Sequence, residues 1–527
     1  MSEPFYITTA ISYPNGRPHI GHAYEAIATD AIARFHRMMG RDVRLVTGTD
    51  EHGLKMVQTA RDAGVDTLAL ADEMSGYFRD MCTGLNISHD VFMRTSDPRH
   101  HAASAALWQA MAAKGDLYLD RYEGWYSVRD EAFYDESELV DGEGGARVSP
   151  QGTPVEWTAE ETWFFRLSKY QDKLLALYAD QPDFLRPDSR RNEVVRFVEG
   201  GLRDLSVSRT SFDWGVKVPG SPGHVMYVCV DALTTYLSGI GYPERGGEFD
   251  RFWPADVHII GKDIVRFHAV YWPAFLMSAD LPLPRQIFGH GFVLARDGGK
   301  MSKSAGNVVD PMRLAERYGV DALRYFLLSE ISFGQDGTWS EEAIVTRCNA
   351  DLANTLGNLV QRTVSMIHKI CDGKPPERDE LIDKIVAERT AHIAFELRQA
   401  DADQTRRSHL RQFNEHHDPL DLSRNQMEEL RLNGAIEDLM GEVRELNAII
   451  AAREPWKTVK SDPLQAAFDL CLVFTRLQHV VKGFQPFIPE TAAKIIALLT
   501  VSDIDGRLPK PEPVFPRLEM PAEEVPA

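Results

Sequence analysis

Residues 5–40 read FYITTAISYPNGRPHIGHAYEAIATDAIARFHRMMG, and this stretch sets the architecture. Phe5 to Ala10 is the apolar, β-branched run that a buried strand needs. Tyr13-Pro14-Asn15-Gly16 and Arg17-Pro18 are turn chemistry. From His22 the pattern becomes helical. Ala23, Ile27, Ala31, Phe35 and Met39 form an i, i+4 stripe, and Gly40 stands where a C-cap glycine would. His19-Ile20-Gly21-His22 falls at the strand–helix junction. Two imidazoles and a glycine at a helix N-terminus make an anion site: free backbone N–H groups, the positive dipole end and two further donors. A plain strand–loop–helix with histidines by chance reads the same way, so the rest of the chain must decide.

The chain has 527 residues, which implies two to four domains. Hydrophobic content of 43% and charged content of 26% are ordinary for globular proteins. No apolar run is long enough for a membrane span, and Met1-Ser2-Glu3-Pro4 leads straight into a strand without a secretory signal. The five cysteines, Cys82, Cys229, Cys348, Cys371 and Cys471, include no CxxC pair. A disulfide scaffold and a cysteine-rich zinc site are therefore not expected, and a reducing cytoplasm is. A net charge of −20 argues against diffuse nucleic-acid binding but leaves room for a local basic strip.

Along the chain, residues 1–115 alternate β and α. A second strand over Arg44–Gly48 ends in Thr49-Asp50-Glu51-His52-Gly53, where open α/β sheets place ligands; Asp50 also suits a helix N-cap. The spacing predicts helix over Leu54–Met81 and Ala102–Ala113, and strand over Val91–Arg94. Residues 116–225 change character and read as an inserted β-rich module, with a hairpin near Gly142–Gly145 and a helix over Glu161–Tyr178. The arginines between Arg186 and Lys217 alternate with acids and read as a solvated face. The α/β pattern returns with strands over Val225–Val230, Val257–Gly261 and Ile287–Leu294. His268 and Trp272, four apart, share a helix face; a core histidine beside a core tryptophan fits as well. Arg296 to Asn307 places glycines around two lysines and two serines, a loop with an electropositive tip, and Asp310-Pro311 then start a helix. From about Ser340 the pattern is nearly all helix: Glu341–Ile370, Glu428–Ala452 and Leu464–Leu499. Residues 400–426 fit no clear face, and the tail from Arg507 is Pro-rich and acidic.

His19–His22 and Lys300–Ser304 stand at opposite ends of a split α/β region, and both match letter for letter the HIGH and KMSKS signatures of class I aminoacyl-tRNA synthetases. Further motifs make the chain similar to the methionyl-tRNA synthetases: Ser12-Tyr13-Pro14-Asn15-Gly16, Thr47 to Gly53, Trp163 to Ser168, Asp231-Ala232-Leu233, and Gly261-Lys262-Asp263-Ile264 with Phe267-His268. The resemblance runs from about residue 5 to about residue 500. It implies an α/β fold: a Rossmann-like nucleotide-binding catalytic domain with a β-rich connective insertion, followed by an all-α helical bundle. The implied divisions are 1–115 and 226–295 for the two catalytic halves and 116–225 for the insertion. They continue with 296–340 for the KMSKS loop and stem-contact region, 341–505 for the anticodon-binding bundle and 506–527 for an extended tail.

The resemblance also implies roles. Asp50 anchors the methionine ammonium, and Ile11, Tyr13, Ala232, Leu233, Tyr236, His268 and Trp272 form the side-chain pocket. His19, Gly21, His22, Lys300, Ser302 and Lys303 meet the ATP phosphates, with His19, His22, Lys300 and Lys303 as the catalytic set; Gly261 and Asp263 hold the ribose. Asn358, Arg362 and Trp456 read the methionine anticodon. The expected activity is ATP-dependent activation of L-methionine and transfer to methionine tRNA. Mg²⁺ is expected with the nucleotide, with no protein-bound zinc, no membrane partner and a monomeric chain. Two departures stand out. Cys229 occupies a position usually filled by tryptophan in the family, and the 116–160 segment lacks knuckle cysteines. Competing readings are another class I synthetase, a nucleotidyltransferase making a small-molecule nucleotide, and a catalytically silent tRNA-binding protein.

Overall fold

The apolar run that opens the chain forms β1, Pro4–Thr8, buried at all but its first residue. It lies inside a parallel sheet whose other strands are β2 (Asp42–Thr49), β3 (Val91–Arg94), β4 (Leu185–Arg186), β5 (Val257–Gly261) and β6 (Ile287–His290), in the order β3-β2-β1-β5-β6-β4. Ile7 has Leu45 on one side and Val257 on the other. Buried parallel strands need apolar residues on both faces, which is why the fully buried β5 has the limits its sequence predicts; the edge strand β3, half-buried, has them too. The structure is a computed structural model describing residues 2–127, 132–134, 136–142, 145–227, 229–296, 298–299, 301, 308–377, 381 and 419–520. The chain divides into two units, one of residues 1–293, 301–312 and 334–336, the other of 294–300, 313–333 and 337–527.

Helix α1, Ile20–Met38, follows β1, buries Ala23, Ile27, Ala31 and Phe35, and ends at Met39; Gly40 follows at φ 81°. The single helix expected over Leu54–Met81 is two, Leu54–Ala63 and Thr67–Gly84. Gly64, in the left-handed region, closes the first, and the Asp66 carboxylate caps the second. The helix expected over Glu161–Tyr178 is also corrected. Glu156–Phe165 is a strand paired antiparallel along Leu117–Ser127, and α-helix begins only at Gln171. The aromatic run Trp163-Phe164-Phe165 suits a strand as well as a helix, and long-range pairing decides. A short hairpin joins Val140–Asp141 to Arg147–Val148. The edge strand β4 comes from inside the 116–225 span, a pairing with β6 that its two residues do not announce. In the same span Arg186, Arg190 and Arg191 pair with nearby acids, as a solvated face would. Arg209 departs from that face: it is buried with its guanidinium 3.6 Å from the Tyr227 ring centroid.

The strand expected over Val225–Val230 ends at Met226, and helix runs over Cys229–Ser238. Phe267–Tyr271 is π-helical, leading into the α-helix Trp272–Ser278.

The second unit is helical. Glu341–Cys348, a π-helical Asn349–Gly357 and Asn358–Ile370 follow one another without a break. Leu432–Arg453 and Pro463–Phe484 supply most of the remaining buried apolar surface. The tail is laid along this unit: Leu518 exchanges two hydrogen bonds with the Asn349 side chain, and the Pro509 carbonyl meets His368 Nε2 at 2.9 Å. Most of residues 400–426 lie outside the described residues.

Gly48 on β2 faces Met93 on β3 so closely that a Cβ would sit 1.8 Å from the Met93 carbonyl oxygen. Gly48→Ala should therefore cost about 3 kcal/mol through a backbone clash, read as a lowered melting temperature in calorimetry.

Candidate active site

The sheet reverses its winding at β1. Chain leaving β1 goes to β2 on one side, while β5 occupies the other, so a crevice opens beyond their carboxyl ends. His19 and Asp50 follow strands that end there, and Gly261 is the last residue of β5.

His19 is the N-cap of α1. Its Nδ1 accepts the Gly21 N–H at 3.1 Å, and His22 Nδ1 accepts the His19 N–H at 3.1 Å, a reciprocal capping box made from imidazoles. With both Nδ1 atoms accepting, each neutral ring carries its proton on Nε2. The rings lie 3.8 Å apart between centroids. Gly21 is required here, because a Cβ would sit 2.9 Å from the His19 ring. This corrects one expectation. The first helical N–H groups are not free: Ile20 donates to Val309 O at 3.0 Å, Gly21 to His19 Nδ1, and His22 to His19 O. What this terminus can offer an anion is thus the helix dipole and two oriented imidazoles. The Ile20–Val309 bond also returns the chain just beyond the KMSKS segment to the α1 N-terminus. Lys300, Ser302 and Lys303 lie outside the described residues.

Ser12 and Asp50 form a second wall. Ser12 N–H donates to Gly48 O at 3.0 Å, and Asp50 N–H to Ser12 O at 2.9 Å. Ile11, Tyr13 and Asp50 are half-buried. Beyond β5, the Asp263 carboxylate folds back on Gly261, where a Cβ would lie 2.7 Å from it.

The helix Cys229–Ser238 brings up Ala232, Leu233 and Tyr236. Tyr236 O–H donates to His268 Nε2 at 2.6 Å, and its ring lies 6.0 Å from that of Trp272. His268 Nδ1–H donates to Ile264 O at 3.0 Å. His268 and Trp272 thus both meet Tyr236, and both are buried. The Cys229 side chain lies outside what is described.

Sequence reasoning missed several polar residues beside this site. His258 stacks on Tyr236 with 4.3 Å between centroids, accepts from Trp272 Nε1 at 3.4 Å and bonds Thr8 Oγ1 through Nδ1 at 2.8 Å. Glu25 accepts from the Ala10 N–H at 3.0 Å and from His290 Nε2 at 2.8 Å, tying the end of β1 to the end of β6. A lone carboxylate in the otherwise uncharged run Ala23–Thr29 of α1 was the available signal. His52 and His100 both donate to Asp231, at 2.6 and 2.7 Å.

Burial decides the charge of these rings unless a carboxylate opposes it. It pushes His268 down to about 4 and, with His268 as neighbour, holds His258 well below its ordinary value. It also opposes charge on His52 and His290, but Asp231 and Glu25 respectively outweigh it and both are raised.

In the second unit, Asn358 opens the helix Asn358–Ile370 with Arg362 one turn on, and the Arg362 guanidinium stands 5.7 Å from the Trp456 ring centroid. Glu454, left-handed at φ 43°, turns the chain between Leu432–Arg453 and the short helix Pro455–Thr458 that carries Trp456.

A parallel sheet with a HIGH capping box at its switch point, joined to a helical unit, defines a class I aminoacyl-tRNA synthetase. The family model for "tRNA synthetases class I (M)" matches residues 5–364. A methionine–tRNA ligase of Brucella suis biovar 1 (strain 1330) is 52% identical over 531 residues, 98% of each chain. That of Mycobacterium tuberculosis (strain CDC 1551 / Oshkosh) is 52% identical over 542 residues, 98% of this chain and 99% of the relative. The solved Mycobacterium tuberculosis methionyl-tRNA synthetase in complex with methionyl-adenylate superposes with a TM-score of 0.87 at 50% identity, covering 98% of this chain and 100% of that one. Its apo form gives 0.82 at 48% identity, covering 99% of each. The chain belongs to the methionine–tRNA ligase family.

Because His268 has a folded pKa of about 4 against an ordinary value of 6.5, its neutral form stabilises the fold above pH 6.5, and that stability is lost as pH falls through 4. In His268→Gln the fall of melting temperature over that window should be shallower than in the parent, as measured by melts at stepped pH.

Proposed function

We propose that the chain activates L-methionine with ATP, releasing pyrophosphate, and then transfers it to the 3′-terminal adenosine of methionine tRNA. The observation that carries this reading is the likeness, over 98% of the chain, to a synthetase solved with methionyl-adenylate. The crevice at the β1–β5 switch point, with an imidazole pair on one side and a ringed apolar pocket on another, supports it.

In the first step a methionine carboxylate oxygen attacks the ATP α-phosphorus, the bond to the bridging oxygen breaks, and pyrophosphate leaves. A carboxylate is already a nucleophile, so no general base is needed. Catalysis is positioning plus stabilisation of phosphate charge. His19 and His22, with Nδ1 committed to backbone, would direct Nε2–H groups at the phosphates, and Gly21 lets the His19 ring fold back. Lys300, Ser302 and Lys303 would add donors and positive charge. Gly261 and Asp263 would hold the ribose. Asp50 would take the ammonium. Ile11, Tyr13, Ala232, Leu233, Tyr236, His268 and Trp272 would surround the thioether, where aromatic rings add contacts with sulfur. Keeping His268 neutral suits an apolar guest. In the second step the 2′-hydroxyl of the terminal adenosine attacks the adenylate carbonyl, and AMP leaves.

Among the described residues no group of three His, Cys, Asp or Glu side chains is placed to hold a metal ion. Mg²⁺ is proposed to arrive with the nucleotide, held by its phosphates and water, and the 116–160 segment, which lacks knuckle cysteines, is proposed to hold no zinc. In the helical unit, Asn358, Arg362 and Trp456 would read the anticodon, the guanidinium by hydrogen bonds and the indole by stacking. Among the described residues no helix is long and apolar enough to cross a membrane. A monomer working in the cytoplasm is the proposed setting.

Amino-acid-dependent ATP–pyrophosphate exchange across the twenty amino acids should respond to methionine. Exchange driven by a different amino acid would overturn the specificity, and none at all would leave a silent tRNA-binding protein. Lys303→Ala should slow exchange by about 100-fold or more while methionine KM moves only a few-fold. An unchanged rate would remove that lysine from the transition state.

A further inference from the structure

The loop Asp50–Gly53 holds more buried charge than an amino-acid anchor needs. Glu51, fully buried, takes the Arg94 guanidinium with both oxygens and also accepts from Thr49 Oγ1 at 2.8 Å. Its backbone carbonyl accepts from Trp214 Nε1 at 2.6 Å. The next residue, His52, sends Nδ1–H to Asp231 Oδ2 at 2.6 Å, and its ring stands 5.4 Å from Trp214, edge to face. Asp231 is buried in the first turn of Cys229–Ser238, and its other oxygen accepts from His100 Nε2 at 2.7 Å. His100 Nδ1 in turn lies 3.1 Å from Ser238 Oγ at the far end of that helix.

One carboxylate therefore joins two parts of the proposed methionine site. The loop beside it carries Asp50, two residues before His52. The helix it belongs to carries Ala232, Leu233 and Tyr236, one to five residues after it. The two pieces are about 180 residues apart in sequence, and short charge-assisted bonds are stiff and directional. We propose that the His52–Asp231 pair is a positioning device for methionine recognition: it fixes the distance between the ammonium anchor Asp50 and the side-chain pocket on Cys229–Ser238, so that the site measures the length of the amino acid. His52 and Asp231 touch the walls of the site rather than the reacting atoms. His100 holds Asp231 from the other side, so the carboxylate keeps a partner when His52 is replaced. The inference rests on the assignment of Asp50 and this helix to methionine.

The test is methionine KM and ATP KM in pyrophosphate exchange, with a thermal melt for each variant of the full chain. His52→Ala should raise methionine KM about tenfold and leave ATP KM within about twofold, the loss of one charge-assisted bond to a group that positions only one substrate. His52→Asn, whose amide nitrogen can stand where Nδ1 stood, should recover most of that loss. Asp231→Asn, which also disturbs the His100 bond, should raise methionine KM at least as much as His52→Ala, and the double variant should be no worse than Asp231→Asn alone, since the His52 bond is already lost there. The proposal is overturned if His52→Ala leaves methionine KM within twofold. It is equally overturned if both KM values rise together with a fallen melting temperature, which is what a merely structural pair would give. Should Asp231→Asn not fold, the two His52 variants decide the matter alone. Asp50→Asn separates this inference from the reading beneath it. If Asp50→Asn leaves methionine KM unchanged, the anchor assignment fails and takes the coupling with it. If Asp50→Asn raises it and His52→Ala does not, only the coupling falls.

Discussion

The constraint on which the first unit depends is that β1 is flanked by parallel strands on both sides. Ile7 is paired with Leu45 and Val257 at once, so the strand's backbone groups are used up within the sheet. Function is displaced to the carboxyl end, where the chain leaves the sheet and neighbouring connections diverge. The end of β1 is then held open by hydrogen bonds that are not part of the ladder. Glu25 takes the Ala10 N–H and the His290 imidazole, while Ser12 continues the pairing with Gly48 and Asp50. The crevice is thus a consequence of sheet winding, and its rim is fixed by the half-buried Glu25 carboxylate.

Histidines make up much of the polar machinery around this crevice, and they divide into two kinds by their neighbours. His19 and His22 are tied by Nδ1 to backbone N–H groups, which sets the tautomer. His258 and His268 are sealed among rings and held neutral by burial. His52 and His290 are as buried, yet a carboxylate beside each raises its pKa. One side chain type therefore supplies donors at the helix terminus, neutral rings beside Tyr236 and carboxylate-bonded clips in the frame. The difference lies in a single bonding partner in each case.

The strand buried on both faces was legible to the residue, because nothing but an apolar run can occupy it: Val257–Gly261 is the instance, and the half-buried edge strand Val91–Arg94 also kept its expected limits. The HIGH segment was legible because cap, glycine and stripe lie within one stretch of chain. Reading failed where local chemistry permits two answers. Trp163-Phe164-Phe165 suits either strand or helix, and pairing with residues 117–119 settled it. Leu54–Met81 keeps its periodicity through Gly64, so the break was hidden in an otherwise helical pattern. Polar residues whose partners are remote were also missed. Thr8 to His258 spans 250 positions, Glu25 to His290 spans 265, and His52 to Asp231 spans 179.

By itself the sequence determined the class of fold, the strand–helix junction that carries the imidazoles, and the family to which the chain belongs. These depend on periodicity, on turn and cap chemistry, and on motifs whose residues are close together. Only the tertiary structure decided that the first helical N–H groups are already bonded, that Tyr236 is the meeting point of His258, His268 and Trp272, and that Asp231 clips the Asp50 loop to the helix Cys229–Ser238. The physical reason is the same throughout. A hydrogen bond between buried groups is set by where two distant segments pack, and no local pattern records the other end of the bond.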